Sequence, residues 1–227
     1  ILNESEQVKG ETFRPTERVK VYVIEVKDTP KGPRVSVSRT HPDLVKRLFE
    51  SEVAEVRDGT VEIKAIAREA GSRTKIAVKS NDANVDPVGA CVGLNGSRVN
   101  SIVSELKGEK IDIINWDDNP AYLIENALSP AKVICVVADE EEREAQVIVP
   151  DYQLSLAIGK EGQNARLAAR LTGFKIDIKS ETQAREMGLF EQMGLQYGDT
   201  SSENYEEEQE EPESYQEYEE NYQEDGS

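Results

Sequence analysis

The sequence predicts an α+β protein in which one helix–strand–strand–helix–helix–strand unit occurs twice. Paired glycines separated by two residues stand at 93 and 96, and again at 159 and 162, which is 66 positions later. The strand sequence Lys-Ile-Asp-Ile follows each pair, beginning at 110 and at 175. Because the same order of apolar patterns also precedes both pairs, we interpret the chain as a tandem repeat. Part of a β-barrel is predicted before the repeat, and an acidic tail after it.

Residues 1–40 are predicted to be the C-terminal part of a β-barrel domain. Apolar and polar residues alternate over 18–27 and over 34–39, and the intervening segment 28–33 carries two prolines and a glycine. This pattern predicts a β-hairpin. The segment is too short to close a five-stranded barrel. Since position 1 is Ile rather than Met, we expect the chain to be a fragment of a longer protein.

The first repeat unit is predicted to span residues 41–116. Thr40-His41-Pro42-Asp43 is typical of a helix start, with Thr40 as the cap and Asp43 in the first turn. Beyond the glycine pair, apolar side chains recur at helical spacing on one face, at Val99, Ile102, Val103 and Leu106. The predicted elements are a helix at about 41–56, strands at 60–70 and 73–80, a short helix near 87–92, a helix at 97–107 and a strand at 110–116.

The second unit is predicted to span residues 117–182 with the same order of elements. A 66-residue shift carries the apolar stripe of the first unit onto Ala165, Ala168, Ala169 and Thr172. The linker 116–120 is so short that we expect a fixed orientation between the units. The predicted elements are a helix near 119–128, strands at 131–138 and 145–149, a short helix at 151–158, a helix at 163–172 and a strand at 174–178.

Residues 183–227 are predicted to be a C-terminal extension that is disordered and acidic from about 199. Residues 199–227 hold 13 Asp and Glu and no Lys or Arg, so the net charge of −18 leaves −5 on residues 1–198. That body can still display a basic face. The tail is interpreted as a solubilising segment or as a mimic of nucleic-acid charge that competes with RNA or contacts a basic partner.

Several kinds of site are excluded by the composition. His41 is the only histidine, and Cys91 and Cys135 lie in apolar segments without CxxC spacing, so we expect no catalytic residue, no metal and no cofactor. Asp117 and Asp118 could form a metal pair but are interpreted as solvated acids at a helix start. Unpaired cysteines and the absence of any membrane-length apolar run indicate a cytoplasmic protein without membrane contact.

The glycine pairs predict a site for an anion. Without a Cβ they let another backbone approach, and the following helix offers unpaired N–H groups to a phosphate. The other interpretation, tight packing between helices, explains one pair better than two matched pairs. Lys160, Arg166 and Arg170 supply charge to the second pair, whereas Arg98 is the nearest cation to the first, so we expect the second to contact phosphate more strongly.

Two long motifs carry a resemblance to a known family. GACVGLNGSRVNSIVSELKGEKIDII and LAIGKEGQNARLAARLTGFKIDI closely resemble the first and second KH domains of the bacterial NusA family, and VSRTHPDLVKRLFESEV resembles its junction with an OB-fold RNA-binding domain. The resemblance covers about residues 1–190. It implies tandem type II KH domains, a remnant of the OB fold, and RNA contacts at Gly93, Leu94, Asn95, Gly96, Ser97, Arg98, Gly159, Lys160, Glu161, Gly162, Gln163, Asn164 and Arg166.

The resemblance also implies a function. It predicts a non-enzymatic, monomeric transcription factor that binds nascent single-stranded RNA and RNA polymerase, and that modulates pausing, termination and antitermination. Polymerase contacts are expected mainly in an N-terminal region that precedes Ile1. The alternative is the RNA-binding portion of an exoribonuclease or polynucleotide phosphorylase, although those proteins place a single KH domain before the barrel. An acidic scaffold that binds basic proteins through its tail remains a further interpretation.

Overall fold

The computed structural model of the protein describes residues 1–192, so the predicted disorder of 199–227 lies outside the described residues. Its first sheet is the predicted hairpin, β1 (Tyr22–Thr29) paired antiparallel with β2 (Gly32–Ser38). Both strands extend two residues further into the turn than the alternation predicted, because only Pro30 and Lys31 form the turn. At the other ends β1 begins at Tyr22 instead of residue 18, and β2 ends at Ser38 instead of residue 39. Within the described residues this sheet has two strands and closes no barrel.

The first unit has the predicted order of elements. Its central strand, β4 (Arg73–Ser80), pairs antiparallel with β3 (Val61–Glu69) and parallel with β5 (Lys110–Asn115). Two helices precede β3, and two lie between β4 and β5. The elements are α1 (Pro42–Glu52), α2 (Ala54–Arg57), β3 (Val61–Glu69), β4 (Arg73–Ser80), α3 (Pro87–Val92), α4 (Ser97–Glu105) and β5 (Lys110–Asn115).

The second unit repeats this topology, with β7 at the centre of its sheet. Its first strand begins later than the predicted residue 131, because Lys132 donates its N–H to the side chain of Gln153 instead of to a strand. The elements are α5 (Pro120–Ala127), β6 (Cys135–Asp139), β7 (Glu144–Val149), α6 (Leu154–Ile158), α7 (Gln163–Thr172) and β8 (Lys175–Ser180).

The start of α1 differs in one detail from the prediction. The cap is His41, whose Nδ1 accepts the N–H of Asp43 at 3.1 Å, and not Thr40. The predicted single helix also breaks at Val53, so that α2 follows as a separate turn. Pro42 stands at the first helical position, where its missing N–H costs no helical hydrogen bond, and His41 caps the N–H of the next residue, Asp43.

The two units share one apolar core. On β4, Ile76 and Val78 face the helices of their own unit, while Ala77 points to the opposite face. Ala77 packs in a cluster with α5 and α7 of the second unit, including Ile124 and Leu167. The helices of the second unit therefore cover the outer face of the first sheet, in agreement with the fixed orientation expected from the short linker.

A buried lysine crosses the contact between the units. Lys75 has no exposed side-chain surface, and its Nζ lies 3.0 Å from Oδ2 of Asp112 and donates to the carbonyl of Ser129 at 2.8 Å. Burial lowers the pKa of Lys75 and outweighs the opposing effect of Asp112. Because a buried charge needs partners, this contact constrains how the units meet.

Two helices that the sequence did not predict cover the outer face of the second sheet. They are α8 (Glu181–Glu186), which crosses the predicted unit boundary at 182, and α9 (Leu189–Gln192). Ala184, Leu189 and Phe190 pack against Ile148 of β7. Ser180 begins α8 with a capping box, in which its hydroxyl and the side chain of Gln183 bond reciprocally to backbone N–H groups.

Buried ion pairs tie the hairpin segment to the first unit. Arg39 is fully buried and contacts Glu11 at 2.6 Å and Glu105 at 3.1 Å. Nearby, Arg68 and Glu109 form a buried bidentate pair. Burial works to raise the pKa of the Glu109 carboxyl, but Arg68 holds that pKa below its ordinary value. Removing one partner of such a pair costs about 3–5 kcal/mol of stability.

Within residues 1–192, no helix is long and apolar enough to span a membrane, and no cluster of His, Cys, Asp and Glu has the arrangement of a metal site. Both cysteines are free. Cys91 is fully buried, and this burial raises the pKa of its thiol to about 12. Such a thiol acts as a small core residue.

Candidate nucleic-acid interface

The two glycine-paired segments have the same backbone conformation. We call them loop 1 (93–96) and loop 2 (159–162). Their first glycines have φ of 75° and 77°, with ψ of 172° in both. The third residue has φ of 51° and 54°, and the last glycine 72° and 74°, so two consecutive left-handed residues enter each helix. The repeat predicted from the sequence is therefore a repeat of backbone shape.

Both loops open a helix whose N-terminus has no side-chain cap. Gly96 precedes α4 and Gly162 precedes α7, and neither offers an acceptor to the first-turn N–H groups. Elsewhere in the two units, α1, α3 and α5 are each capped by a side chain, whereas the short helices α2 and α6 are not. The N–H groups of Ser97 and Gln163 donate to the loop carbonyls of Leu94 and Lys160, and the N–H groups that follow them have no side-chain cap. Together with the helix dipole behind loops 1 and 2, these uncapped groups favour an anion.

The first glycine of each loop is required by what lies beneath it. A Cβ on Gly93 would stand 2.7 Å from Cγ of Arg98, and one on Gly159 would stand 2.8 Å from both N and Cβ of Asn164. Real Cβ atoms do not approach other atoms so closely. The loops are thus packed tightly on the first turn of the helix that each one opens.

Arg98 and Asn164 occupy equivalent positions and secure their loops in the same way. Arg98 donates to the carbonyl of Ala90 at 2.7 Å and to Glu55 at 2.9 Å. Asn164 is 5% exposed and donates to the carbonyl of Ala157 at 3.0 Å. Both side chains were predicted to contact RNA. The structure directs them to the preceding helix, which leaves the loop backbone as the group that can meet a phosphate.

The remaining predicted residues of loop 1 are uncharged and accessible. Leu94 is 83% exposed at the tip, and Asn95 and Ser97 are also exposed. Leu94 can contact a sugar or a base but cannot neutralise a phosphate. Loop 1 therefore depends on its backbone N–H groups for binding an anion.

Loop 2 carries one cation that has no partner and several polar groups that are already engaged. Lys160 is exposed and makes no ion pair within the described part of the chain. Arg166 donates to the carbonyl of Glu161 at 3.0 Å and pairs with Glu69 of the first unit at 2.6 Å. Gln163 donates to Glu69 at 3.0 Å as well.

Glu69 is the carboxylate that gathers these side chains. Its hydrogen bond with Arg166 is the main reason why the pKa of Glu69 falls to about 2. Desolvation opposes this fall but is weaker than the Arg166 hydrogen bond, and Gln163 and Arg170 lower the pKa further. Arg166 and Arg170 were expected to supply charge to a phosphate at loop 2. In the structure they stand beside that loop but are paired with an acid from β3, 97 positions earlier in the case of Arg166.

Exposed apolar side chains beside loop 2 were not identified from the sequence. Leu156 and Ile158 on α6 are 44% and 38% exposed, and Tyr152 just before the helix is 76% exposed. The sequence of α6, Leu-Ser-Leu-Ala-Ile, has four apolar residues in five positions, which is more than the single buried position, Ala157, that the structure gives this helix. These side chains can contact unstacked bases.

A groove leads from the first unit toward the second. One wall is formed by α3 and β5, with Val88 and Asn115, and the other by α5 and the segment after it, with Asn126 and Lys132. Asn126 donates to the carbonyl of Asn115 at 3.2 Å across the floor. The groove mixes apolar and amide groups with one cation, Lys132, and two acids, Asp86 and Glu125, so its hydrogen-bonding groups rather than its charge can contact nucleotides.

Comparison with known families agrees with this division into two units. A model described as the NusA-like first KH domain matches residues 39–116, and one described as the NusA-like second KH domain matches residues 120–186. The two matches follow one another in the chain in the order that the sequence predicted.

Curated relatives cover most of the chain. A protein of Bacillus subtilis is 62% identical over 190 residues, or 84% of this chain and 51% of the relative. One of Mycobacterium tuberculosis is 57% identical over 80% of this chain and 52% of the relative, and one of Thermus thermophilus is 49% identical over 78% and 46%. All three are named transcription termination/antitermination protein NusA, and the chain spans about half their length.

Proposed function

The chain belongs to the NusA family, and from this premise we propose that it binds nascent single-stranded RNA and thereby modulates transcriptional pausing, termination and antitermination. Its two repeat units are KH domains, as the sequence predicted. The relatives bear the name of a transcription protein, and none of these names denotes an enzyme, so the exoribonuclease alternative loses its support.

One observation carries the proposal. Two loops of the same backbone shape, each with two consecutive left-handed residues, lead into helices of nine and ten residues that lack a side-chain cap; of the other helices in the two units, α1, α3 and α5 are capped and only the short α2 and α6 are not. A protein would leave two such helix ends open for a ligand that satisfies their N–H groups. An RNA strand is such a ligand, because it carries a phosphate at every nucleotide. One strand can therefore place one phosphate at loop 1 and another at loop 2.

The surroundings of the loops favour a single strand over a duplex. Leu156, Ile158 and Tyr152 form an exposed apolar surface beside loop 2, and bases can reach such a surface only when they are unstacked. The groove between the units offers amides and Lys132 to the nucleotides that connect the two loops, while Asp86 and Glu125 in the same lining favour contact with bases and sugars over phosphates. We therefore propose one continuous RNA path over loop 1, the groove and loop 2.

The proposal includes the wider setting. We propose a cytoplasmic monomer that works beside RNA polymerase and contacts it mainly through parts of the family's architecture outside this segment. The division into residues 1–40, 41–116, 117–182 and 183–227 belongs to the same proposal. The name of the relatives, which refers to termination and antitermination of transcription, supports the proposed role beside RNA polymerase.

Paired substitutions in the two loops test the proposal. Lys160→Asp with Glu161→Asp changes the charge of loop 2 by the same two units as Leu94→Asp with Asn95→Asp changes that of loop 1. We expect a loss of RNA affinity on the order of tenfold at loop 2 and a smaller loss at loop 1, since only loop 2 loses a cation. Fluorescence anisotropy with a labelled single-stranded RNA measures both.

The control is a duplex RNA of the same length, which should bind more weakly than the single strand. Aspartate tolerates the left-handed backbone at the third loop position, so the variants should fold. Equal or reversed losses would contradict the ranking of the loops. If neither loop variant weakens binding, the loops are not the phosphate sites.

A further inference from the structure

Glu69 stands where the two units meet and faces the helix that loop 2 opens. It is the last residue of β3, and its side chain is 21% exposed. Its carboxylate contacts Arg166 twice, with Nε to Oε1 at 2.6 Å and Nη2 to Oε2 at 3.1 Å. Gln163 donates to Oε2 at 3.0 Å, and Nη1 of Arg170 lies 3.6 Å from Oε1.

These three partners form one face of α7. Gln163, Arg166 and Arg170 are spaced at i, i+3 and i+7, so they align from the helix N-terminus downward. Arg166 also donates from Nη1 to the carbonyl of Glu161 in loop 2. The guanidinium of Arg166 therefore bridges the carboxylate of Glu69 and loop 2, the loop that offers its N–H groups to a phosphate.

The first unit contains no equivalent arrangement on its own loop helix. The positions 66 residues earlier are Ser97, Asn100 and Ser104, which carry no charge. Beside loop 1 a single arginine, Arg98, pairs with Glu55 of its own unit, so a face with two arginines and an acid from the neighbouring unit occurs, among the two loops, at loop 2. Two guanidinium groups beside an anion site would bind phosphate, and here both are paired with a carboxylate of the neighbouring unit.

We propose that Glu69 is an internal competitor of RNA at loop 2. In the free chain its carboxylate holds Arg166 and Gln163, and a phosphate that arrives at the loop takes them over. RNA binding at loop 2 then loosens one polar contact between the units. This inference rests on the proposed RNA binding and names the residue that regulates it.

Glu69→Gln in the full chain tests the inference. The amide keeps the size of the side chain but removes its charge, so the two arginines become available to phosphate. We expect single-stranded RNA to bind about two- to fivefold more tightly, which is the range that one partly exposed ion pair represents. The slope of log affinity against log salt should steepen by about 0.7 for each additional phosphate neutralised.

Glu62→Gln is the matched control. Glu62 lies on the same strand, is 53% exposed and pairs with Lys64 at 3.5 Å, so the net charge changes equally at a place away from α7. This variant should leave RNA affinity unchanged. In a background with Arg166→Gln and Arg170→Gln, the tightening caused by Glu69→Gln should disappear, because the competed donors are gone.

The opposite role for Glu69 is a brace that holds α7 in place for RNA. A brace predicts that Glu69→Gln weakens RNA binding or leaves it unchanged, and either result would overturn the inference. The Nε–H resonance of Arg166 in the wild-type chain gives a second readout that does not depend on a variant. It should shift when single-stranded RNA is added, and a stationary signal under saturating RNA would also refute competition.

Failure of this inference can be told apart from failure of the proposed function. If the wild-type chain binds no single-stranded RNA, the proposed function is wrong and the inference falls with it. If RNA binds and the loop 2 substitutions weaken it, while Glu69→Gln has no effect, only the competition is wrong.

Discussion

The two glycines of loop 2 share a left-handed backbone but differ in what surrounds them. Gly159 packs against Asn164, whereas the nearest atom to a Cβ on Gly162 would be a guanidinium nitrogen of Arg166 at 3.9 Å. Backbone strain is thus common to both positions, and steric overlap is confined to the first. The same contrast holds in loop 1, where Gly93 is closely packed and Gly96 less so.

We therefore expect Gly159→Ala to destabilise the protein more than Gly162→Ala. The left-handed backbone alone should cost about 1–2 kcal/mol at Gly162. At Gly159, whose ψ of 172° lies in a region essentially restricted to glycine, the backbone should cost about 1–3 kcal/mol. At Gly159 the overlap with the backbone N of Asn164 should add at least about 1 kcal/mol. Urea unfolding with unchanged m-values measures the difference, and equal midpoints for the two variants would show that the packing beneath loop 2 is looser than described.

At this scale the sequence predicted the repeat of the two loops, which the backbone shows, but not the direction of the charged side chains beside them; the RNA contacts of the loops stay a prediction. Arg98 and Arg166 stand close to the glycines in the chain, which suggested phosphate contacts. Their carboxylate partners, Glu55 and Glu69, lie 43 and 97 positions away from them. No local pattern connects residues so far apart, because these pairs exist only after the sheets have formed.

Among the elements, the helices α4 and α7 show how tertiary packing alters a repeated pattern. The predicted stripe on α7 omitted Leu167 and Leu171, which are buried. Their counterparts on α4 are Ser101 and Glu105. The wider apolar arc of α7 follows from its position, since it contacts the first sheet as well as its own. A stripe transferred from α4 could not show this.

The pair α8 and α9 gives a prediction for single elements. Phe190 is 7% exposed against the outer face of the second sheet, while Met187 in the turn between the helices is 54% exposed. Phe190→Ala should therefore cost about 3 kcal/mol of stability and Met187→Ala almost none. Chemical denaturation compares the two, and a small loss at Phe190 would mean that the helices are not held against the sheet.

For the whole molecule, the shared core makes the two units one cooperative body. Ala77 of the first unit packs among side chains of α5 and α7, and the buried Lys75 donates to Ser129 of the second unit. Neither unit can unfold without exposing apolar surface and an unpaired charge of the other. Stability is thus a property of the pair.

We accordingly expect a single unfolding transition. Trp116 lies at the junction and packs against the shared core, so its fluorescence should change together with the far-ultraviolet circular dichroism of both units. Two separate transitions would contradict the shared core. Replacing Ala77, which faces the second unit, with Glu should lower the one midpoint rather than split it, and a split would have the same meaning.

The fold class and the tandem order were predictable because the same pattern of glycine pair, helix and strand occurs twice in the sequence. The contact between the units was predictable only as a constraint from the short linker. The residues that form this contact could not be predicted, since Ala67 and Ala77 are small residues whose sequence pattern does not indicate a buried interface.

The covering of the second sheet by α8 and α9 also bears on assembly. In each unit the outer face of the sheet is covered by the segment that follows in the chain. The second unit covers the first sheet, as neighbouring modules do in a solenoid, and α8 and α9 cover the second sheet. On the second sheet these two helices thus occupy the place that the second unit occupies on the first. Another module could pack on that face only after α8 and α9 had moved.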